Sequence, residues 1–268
     1  MPIKLNGTHL INSNYFEVKN EIIIKSAEFI TKAKSTYDIV LKKKQNEAHS
    51  IEINRLKFRV NNGEVENKFP LVSHLYFQSI FPLQFTIVKD ELKLSNYKEI
   101  QNRITKIDNI ILDQYKGQGI HYIRTAFLKQ FEKEEIANQF INSLGFISVI
   151  NLTLKRYAKS DNLDFKWRLP SIDFTYWKLK MKDNTNDSIS YSANQVDENE
   201  FLKALNEYRS QNKYDSIEDK ELKVESDFLT TIQYENNSMN IVEANTSCKI
   251  KFGKYFDYEE KNFIKSIL

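Results

Sequence analysis

Hydrophobic positions fall on two rhythms along this chain. Between residues 97 and 115 they recur at spacings of three and four, as Tyr97, Ile100, Ile104, Ile107, Ile111 and Tyr115. On a helix of 3.6 residues per turn these make one stripe, so the segment is predicted as an amphipathic helix. Gly117, tolerant of a positive φ, is placed to stop it. A second helical region is predicted from about 120 to 144 through Ile123, Phe127, Phe131, Ile136 and Phe140. Glu132-Lys133-Glu134-Glu135 breaks it in two and Gly145 ends it. The stretch 70–81 is apolar nearly all round. Pro70 suits a first helical turn, with Leu71, Leu75, Tyr76 and Ile80 as a buried side, although a fully buried strand has the same pattern.

Elsewhere the period is two. Residues 10–60 read as mainly extended, with a helix over 21–33 as the alternative. Ile51 and Ile53 alternate in one phase and Leu56, Phe58 and Val60 in the other, so a bulge at Asn54-Arg55 would restore the core face. Asn61-Asn62-Gly63 signals a turn. Leu83, Phe85 and Ile87 form a strand that returns through Leu92 and Leu94 after Lys89-Asp90-Glu91. Further strands are expected at 146–157, 165–169, 172–181 and 188–193. A hairpin pairs 222–234 with 239–252 across Asn236-Asn237-Ser238, and Cys248 faces its core.

Three times an extended stretch meets an Asx residue with Glu three positions on: Asn96 with Glu99, Asp197 with Glu200, and Asp257 with Glu260. Each resembles a capping box, so each predicts a helix start. The last would begin a C-terminal helix burying Phe263, Ile264, Ile267 and Leu268. Together these elements predict an α+β fold: antiparallel sheets built as long hairpins and a meander, packed amphipathic helices, a helix-rich middle and a C-terminal helix. A division into 1–145, mixed strand and helix, and 146–268, antiparallel and β-rich with two helices, follows from the same pattern, with one shared core as the alternative.

Composition narrows the function classes. The 268 residues carry a net charge of +3 with both signs interspersed, so no basic face of the kind nucleic-acid binders show is expected. The one compact basic run, Lys42-Lys43-Lys44 with Lys32, Lys34 and Arg55 nearby, reads as a solvated edge that discourages strand pairing. A single cysteine excludes an internal disulfide. The first residues lack an apolar core of signal-peptide length and no stretch is a membrane span, which leads to the expectation of a cytoplasmic protein. Its Asn-, Lys- and Ile-rich composition is of the kind found with AT-rich bacterial genomes.

Catalytic equipment is sparse. His9, His49, His74 and His121 form no metal-binding helical pair. His74 and His121 with Asp108 or Asp113 make the one acid–base site that can be assembled. Cys248 shares a phase with Val242, Ala244, Ile250 and Phe252 and reads as an inert core thiol. Lys116-Gly117-Gln118-Gly119 lacks the remaining features of a phosphate loop and reads as a helix-to-helix turn. Glu132, Glu134 and Glu135 read as a solvated face. No catalytic residue, metal or cofactor is therefore assigned.

The aromatic cluster Phe165, Trp167, Phe174, Tyr176 and Trp177 stands out, because both phases of 172–181 carry large groups. Either both faces are covered, or one presents an aromatic surface for binding. The leading expectation is a non-enzymatic bacterial protein-binding module: an adaptor, a chaperone or an immunity-type partner, an accessory of a toxin-delivery system included, with another protein as its partner. The alternative is a small-molecule or lipid-binding protein whose apolar pocket, lined by Phe228, Tyr234, Val242 and Phe252, lies under the C-terminal helix.

Overall fold

The computed structural model describes residues 14–43, 49–61, 63–65, 67–157, 162–170, 172–215, 217, 222–235 and 240–267. The strands are β1 (Asn14–Lys25), β2 (Ile30–Lys43), β3 (Ser50–Val60), β4 (Leu83–Val88), β5 (Glu91–Leu94), β6 (Asn162–Leu169), β7 (Asp173–Asn184), β8 (Ser188–Ala193), β9 (Glu225–Tyr234), β10 (Ile241–Phe252) and β11 (Phe256–Ser266). The helices are α1 (Lys68–Ser79), α2 (Tyr97–Gln114), α3 (Gln118–Lys129), α4 (Glu134–Asn142), α5 (Gly145–Leu154) and α6 (Glu198–Gln211). The strands form one antiparallel sheet in the order β5-β4-β3-β2-β1-β11-β10-β9-β8-β7-β6. Strand takes 46% of the described residues and helix 33%, so a single 11-stranded sheet organises the chain. The expected α+β fold, with a helix-rich middle and a C-terminal helix, is overturned.

The chain divides into two compact units: Met1–Glu17 with Ser35–Asn142 and Ser266–Leu268, and Val18–Lys34 with Ser143–Lys265. In the first, β3 pairs with β2 and β4, and β4 pairs with β5. Val72, Tyr76, Ile111 and Ile120 bring α1, α2 and α3 together, flanked by Leu75, Ile107, Tyr115, Ile123 and Phe127. The stripe on α2 is thus buried as predicted, with Ile100, Ile104 and Ile111 innermost. Gly117 does take a positive φ, but as the residue before α3. Arg103 closes the end of α1 by donating to the carbonyls of Ser79, Ile80 and Pro82 at 2.8–2.9 Å.

In the second unit β6 to β11 form a meander, and α5 is buried along nearly its whole length. Tyr191 and Tyr234 reach it with their hydroxyls, at Leu152 O and Thr153 Oγ1. The strand expected over 146–157 is therefore this helix. Its apolar residues fall on all sides of the helix, a pattern that periodicity cannot divide between buried strand and buried helix.

The C-terminal segment is the larger reversal. From Phe256 to Ile264 burial alternates strictly, and every residue from Glu243 to Phe252 on β10 pairs with β11. Glu260 and Asn262 occupy core positions, so the period of two is hidden behind polar side chains. The remaining apolar residues, Phe263, Ile264 and Ile267, mimic a helical stripe. Of the three Asx starts, only Asp197 caps, accepting from Glu200 N at 3.2 Å. Asn96 precedes α2 yet turns its side chain to β4, accepting from Gln84 N and donating to Pro82 O.

Two bulges shift the expected phases, one displaced from Asn54-Arg55 and one that the sequence pattern does not signal. On β3 the extra residue falls between Leu56 and Arg59, where Lys57 has φ 52°, so Arg55 rather than Leu56 takes the core position. On β10 the extra residue is Val242, which turns outward while Ile241 turns in. The β9–β10 hairpin otherwise forms as expected, with Cys248 buried opposite Phe228. Its turn at Asn236-Asn237-Ser238, with His9, Lys44, Asn62, Met239 and Leu268, lies outside the described residues.

Candidate functional site

The antiparallel register of β6 and β7 sets Phe165 opposite Trp177, Lys166 opposite Tyr176 and Asp164 opposite Lys178. Side chains alternate across a strand, so Phe165, Trp167 and Trp177 share one face, and Lys166, Tyr176, Lys178 and Lys180 share the other. The first face is core. Phe165, Trp167 and Trp177 gather around the buried ring of Phe228 with centroids 5.1, 5.4 and 5.6 Å away. Trp167 and Trp177 are each 2% exposed, whereas Tyr176 is 36% exposed. Phe174, on the face of Tyr176, is half-buried.

A groove opens beside this pair of strands. Lys180 faces Ser192 on β8, and one extra residue on β7, Lys182, interrupts the ladder. Small Ser192 and Ala193 end β8, and Asn194 and Gln195 leave the ladder. The chain rejoins it at Val196, which bridges to Trp177. Asp197 N then donates to Tyr176 O at 2.8 Å, and the Asp197 carboxylate starts α6. The concavity left has a volume of about 1340 Å³. Its apolar lining is Phe165, Tyr176, Trp177, Met181, Ala193 and Val196, and its charged lining comes from Asp164, four lysines of β6 and β7, and the first turn of α6.

Of the five aromatic residues singled out in the sequence, Phe165, Tyr176 and Trp177 line this groove; Trp167 and Phe174 are not among its lining. The lysines and the α6 residues were missed. Their signal lay in the phase of Tyr176, which continues as Lys178 and Lys180 while the opposite phase runs Trp177, Leu179, Met181. The pocket expected under a C-terminal helix does not form. That segment is β11, Phe228, Tyr234 and Phe252 are buried packing, and Val242 points outward.

The other candidate chemistry is structural. His74 stacks on Phe58 at 4.9 Å and lies 3.3 Å from the Arg55 guanidinium. Burial, then the Arg55 charge, lower its pKa. Arg55, itself buried, packs on Phe58, Phe77 and Phe81 and donates to Gln78 Oε1; burial brings its pKa down to about 10. It is no part of a basic surface. Asp108 is engaged by Arg124 at 2.8 and 2.9 Å and by the Tyr76 hydroxyl at 2.6 Å, so it does not orient His74. His121 is exposed on α3. Gly119 packs against Phe69 at the helix-to-helix turn.

Glu260 sits at the centre of a buried polar group in the second unit. It accepts from Trp167 Nε1 at 2.7 Å, from Asn20 Nδ2 at 2.5 Å and from the Tyr258 hydroxyl. Burial raises its pKa even though all three donors favour the charged form. Burial, and then the charges of Glu260 and Asp227, push the Cys248 thiol well up, which makes it a poor nucleophile. Among the described residues, no group of three or more His, Cys, Asp or Glu is arranged to hold a metal. No helix among them is long and apolar enough to cross a membrane.

No protein-family model matches the chain, and no curated protein does. Among solved structures, one of lipovitellin, determined for its lipid–protein interactions, is similar over 95% of this chain at 8% identity and a TM-score of 0.47. The chain spans a quarter of the lipovitellin chain's length. A Vibrio parahaemolyticus domain provisionally assigned as an outer membrane lipoprotein-sorting protein aligns over 97% of this chain and 86% of its own, at 7% identity and a TM-score of 0.14. Likenesses this distant fix neither fold nor function.

Proposed function

We propose that the chain binds a small lipid-like molecule in the groove between β7 and the segment leading into α6. The observation that carries this reading is the groove itself. At about 1340 Å³ it exceeds the roughly 300–1,000 Å³ of ordinary ligand pockets. Aromatic and aliphatic groups line it beside a charged rim, the composition that holds an apolar chain and orients a polar end. The core beneath is filled by Phe228 and its aromatic neighbours, so the ligand lies against the sheet's outer lining rather than inside the core.

The test is titration with an apolar fluorescent probe, N-phenyl-1-naphthylamine. Saturable binding at one probe per chain is expected. The double variant Tyr176→Ala/Met181→Asp should lose it while its thermal midpoint stays within a few degrees of the parent. Non-saturable fluorescence, or binding indifferent to both substitutions, would refute the assignment of the groove.

A second reading, a module that binds another protein, draws on a different feature. Among the described residues β6 ends the sheet order and pairs only with β7, which leaves its other edge available for strand addition. On that reading Lys166→Pro, which removes a backbone donor, would weaken partner binding. Unchanged partner binding would remove this edge from consideration.

A further inference from the structure

We infer that the head group bound in this groove is zwitterionic, the ligand being a single-chain amphiphile of the phosphocholine or phosphoethanolamine type; this rests on the groove reading above. The strands supply Lys166, Lys178, Lys180 and Lys182 to the lining, and Asp164 stands across from Lys178. The first turn of α6 supplies Asp197, Glu198 and Glu200. Four lysines and four acidic residues therefore line one groove, and they are separated by element: the strand wall carries the lysines and Asp164, the helix wall the remaining acids.

The two walls do not neutralise each other. Among the described residues none of the four lysines, and neither Glu198 nor Glu200, makes a salt bridge. Lys166 lies instead over the Tyr176 ring, 5.2 Å from its centroid. Asp197 is committed to capping α6 through Glu200 N, so on the helix wall Glu198 and Glu200 are the carboxylates left to meet a ligand. An anionic head group would satisfy the lysines and oppose the glutamates. A cationic one would do the reverse. A head group carrying both signs meets both walls, and mismatched charge is what discriminates between ligands of equal chain length.

Three dodecyl amphiphiles test this by calorimetric titration of the full chain, each kept below its critical micelle concentration: dodecylphosphocholine, dodecyl methyl phosphate (a monoanionic phosphodiester) and dodecyltrimethylammonium. Dodecylphosphocholine should bind roughly five- to tenfold more tightly than either singly charged analogue, the size expected of one or two exposed charge pairs. Lys178→Gln/Lys180→Gln should shift preference toward the cationic analogue, and Glu198→Gln/Glu200→Gln toward the anionic one. These positions are exposed or half-buried, and thermal melts confirm that each variant folds. Equal binding of all three would overturn the head-group assignment while leaving the groove reading intact. Tightest binding of a singly charged analogue, or preferences that ignore both variants, would also overturn it. Binding of none would remove the groove reading and this inference together.

Discussion

Asp108 and Glu260 are both shielded carboxylates whose surroundings push them in opposite directions. Burial raises the Asp108 carboxyl, but the hydrogen bonds from Arg124 and Tyr76 and the Arg124 charge bring it below its ordinary value. A depressed folded pKa contributes stability that is present above the unfolded value, near 4, and is lost as pH falls through the folded value. Asp108→Asn should therefore cost about 2 kcal/mol at neutral pH. It should also flatten the acid limb of a stability–pH profile recorded by chemical denaturation. An unchanged acid limb would separate Asp108 from acid unfolding. For Glu260 the sign reverses. Its folded pKa is raised, so the folded state holds the proton more tightly, and stability falls as pH climbs from the unfolded value toward the folded one. Glu260→Gln should abolish that decline, and a profile that still falls would place the titrating group elsewhere. Neither role was legible in the sequence. Asp108 lies within a polar-faced helix pattern, and Glu260 looked like the third residue of a helix cap. The burial of Trp177 was half legible: large groups in both phases left a covered face and an exposed aromatic surface as alternatives, and Phe228, 51 positions later, is what covers it. Trp177→Ala should cost about 3–5 kcal/mol in denaturant melts, and a loss under 1 kcal/mol would return Trp177 to the surface.

Elements were legible where apolar side chains filled most of the core positions. The stripe on α2, the β4–β5 hairpin and the β9–β10 hairpin follow directly from spacing, because each buries a mainly apolar phase; in the last, Thr230 and Thr246 join the core by pairing their hydroxyls. Ile104 is 4% exposed, so Ile104→Asp should cost more than about 3 kcal/mol, an unpaired charge in an apolar interface. Legibility failed where polar residues were enlisted into the core or where apolar ones filled every phase. On β11, Glu260 and Asn262 replaced the expected apolar residues; on β3, Arg55 did so, its guanidinium packed among aromatic rings. On α5, apolar side chains all round erased the distinction between strand and helix. Adjacent substitutions on β11 expose the difference in denaturant melts. In a strand Ile264→Asp should be severely destabilising, whereas exposed Lys265→Asp should change stability by less than about 0.5 kcal/mol. Comparable losses at both positions would contradict the strand.

At the scale of the whole molecule, the second unit draws on the N-terminal strands. Its Val18–Lys34 segment gives Asn20 to Glu260 and Glu28 to Arg209, whose guanidinium is almost fully buried. A fragment of residues 143–268 alone would leave that cation unpaired, a defect of about 3–5 kcal/mol, and is expected to melt without a cooperative transition. A sharp two-state melt of the fragment would support the division at 145 as an independent folding boundary. The groove lies wholly within this unit, on strands whose register the hairpins impose, and its claim to function rests on occupancy. The chain has three methionines, Met1, Met181 and Met239, and Met181 lines the groove. Methyl-labelled methionine thus gives three NMR signals, and Met181→Leu assigns the one that matters. Titration with dodecylphosphocholine below its critical micelle concentration should move the Met181 signal saturably, at one ligand per chain. A Met181 signal that stays fixed, or drifts in proportion to added amphiphile without saturating, would contradict the groove as a binding site.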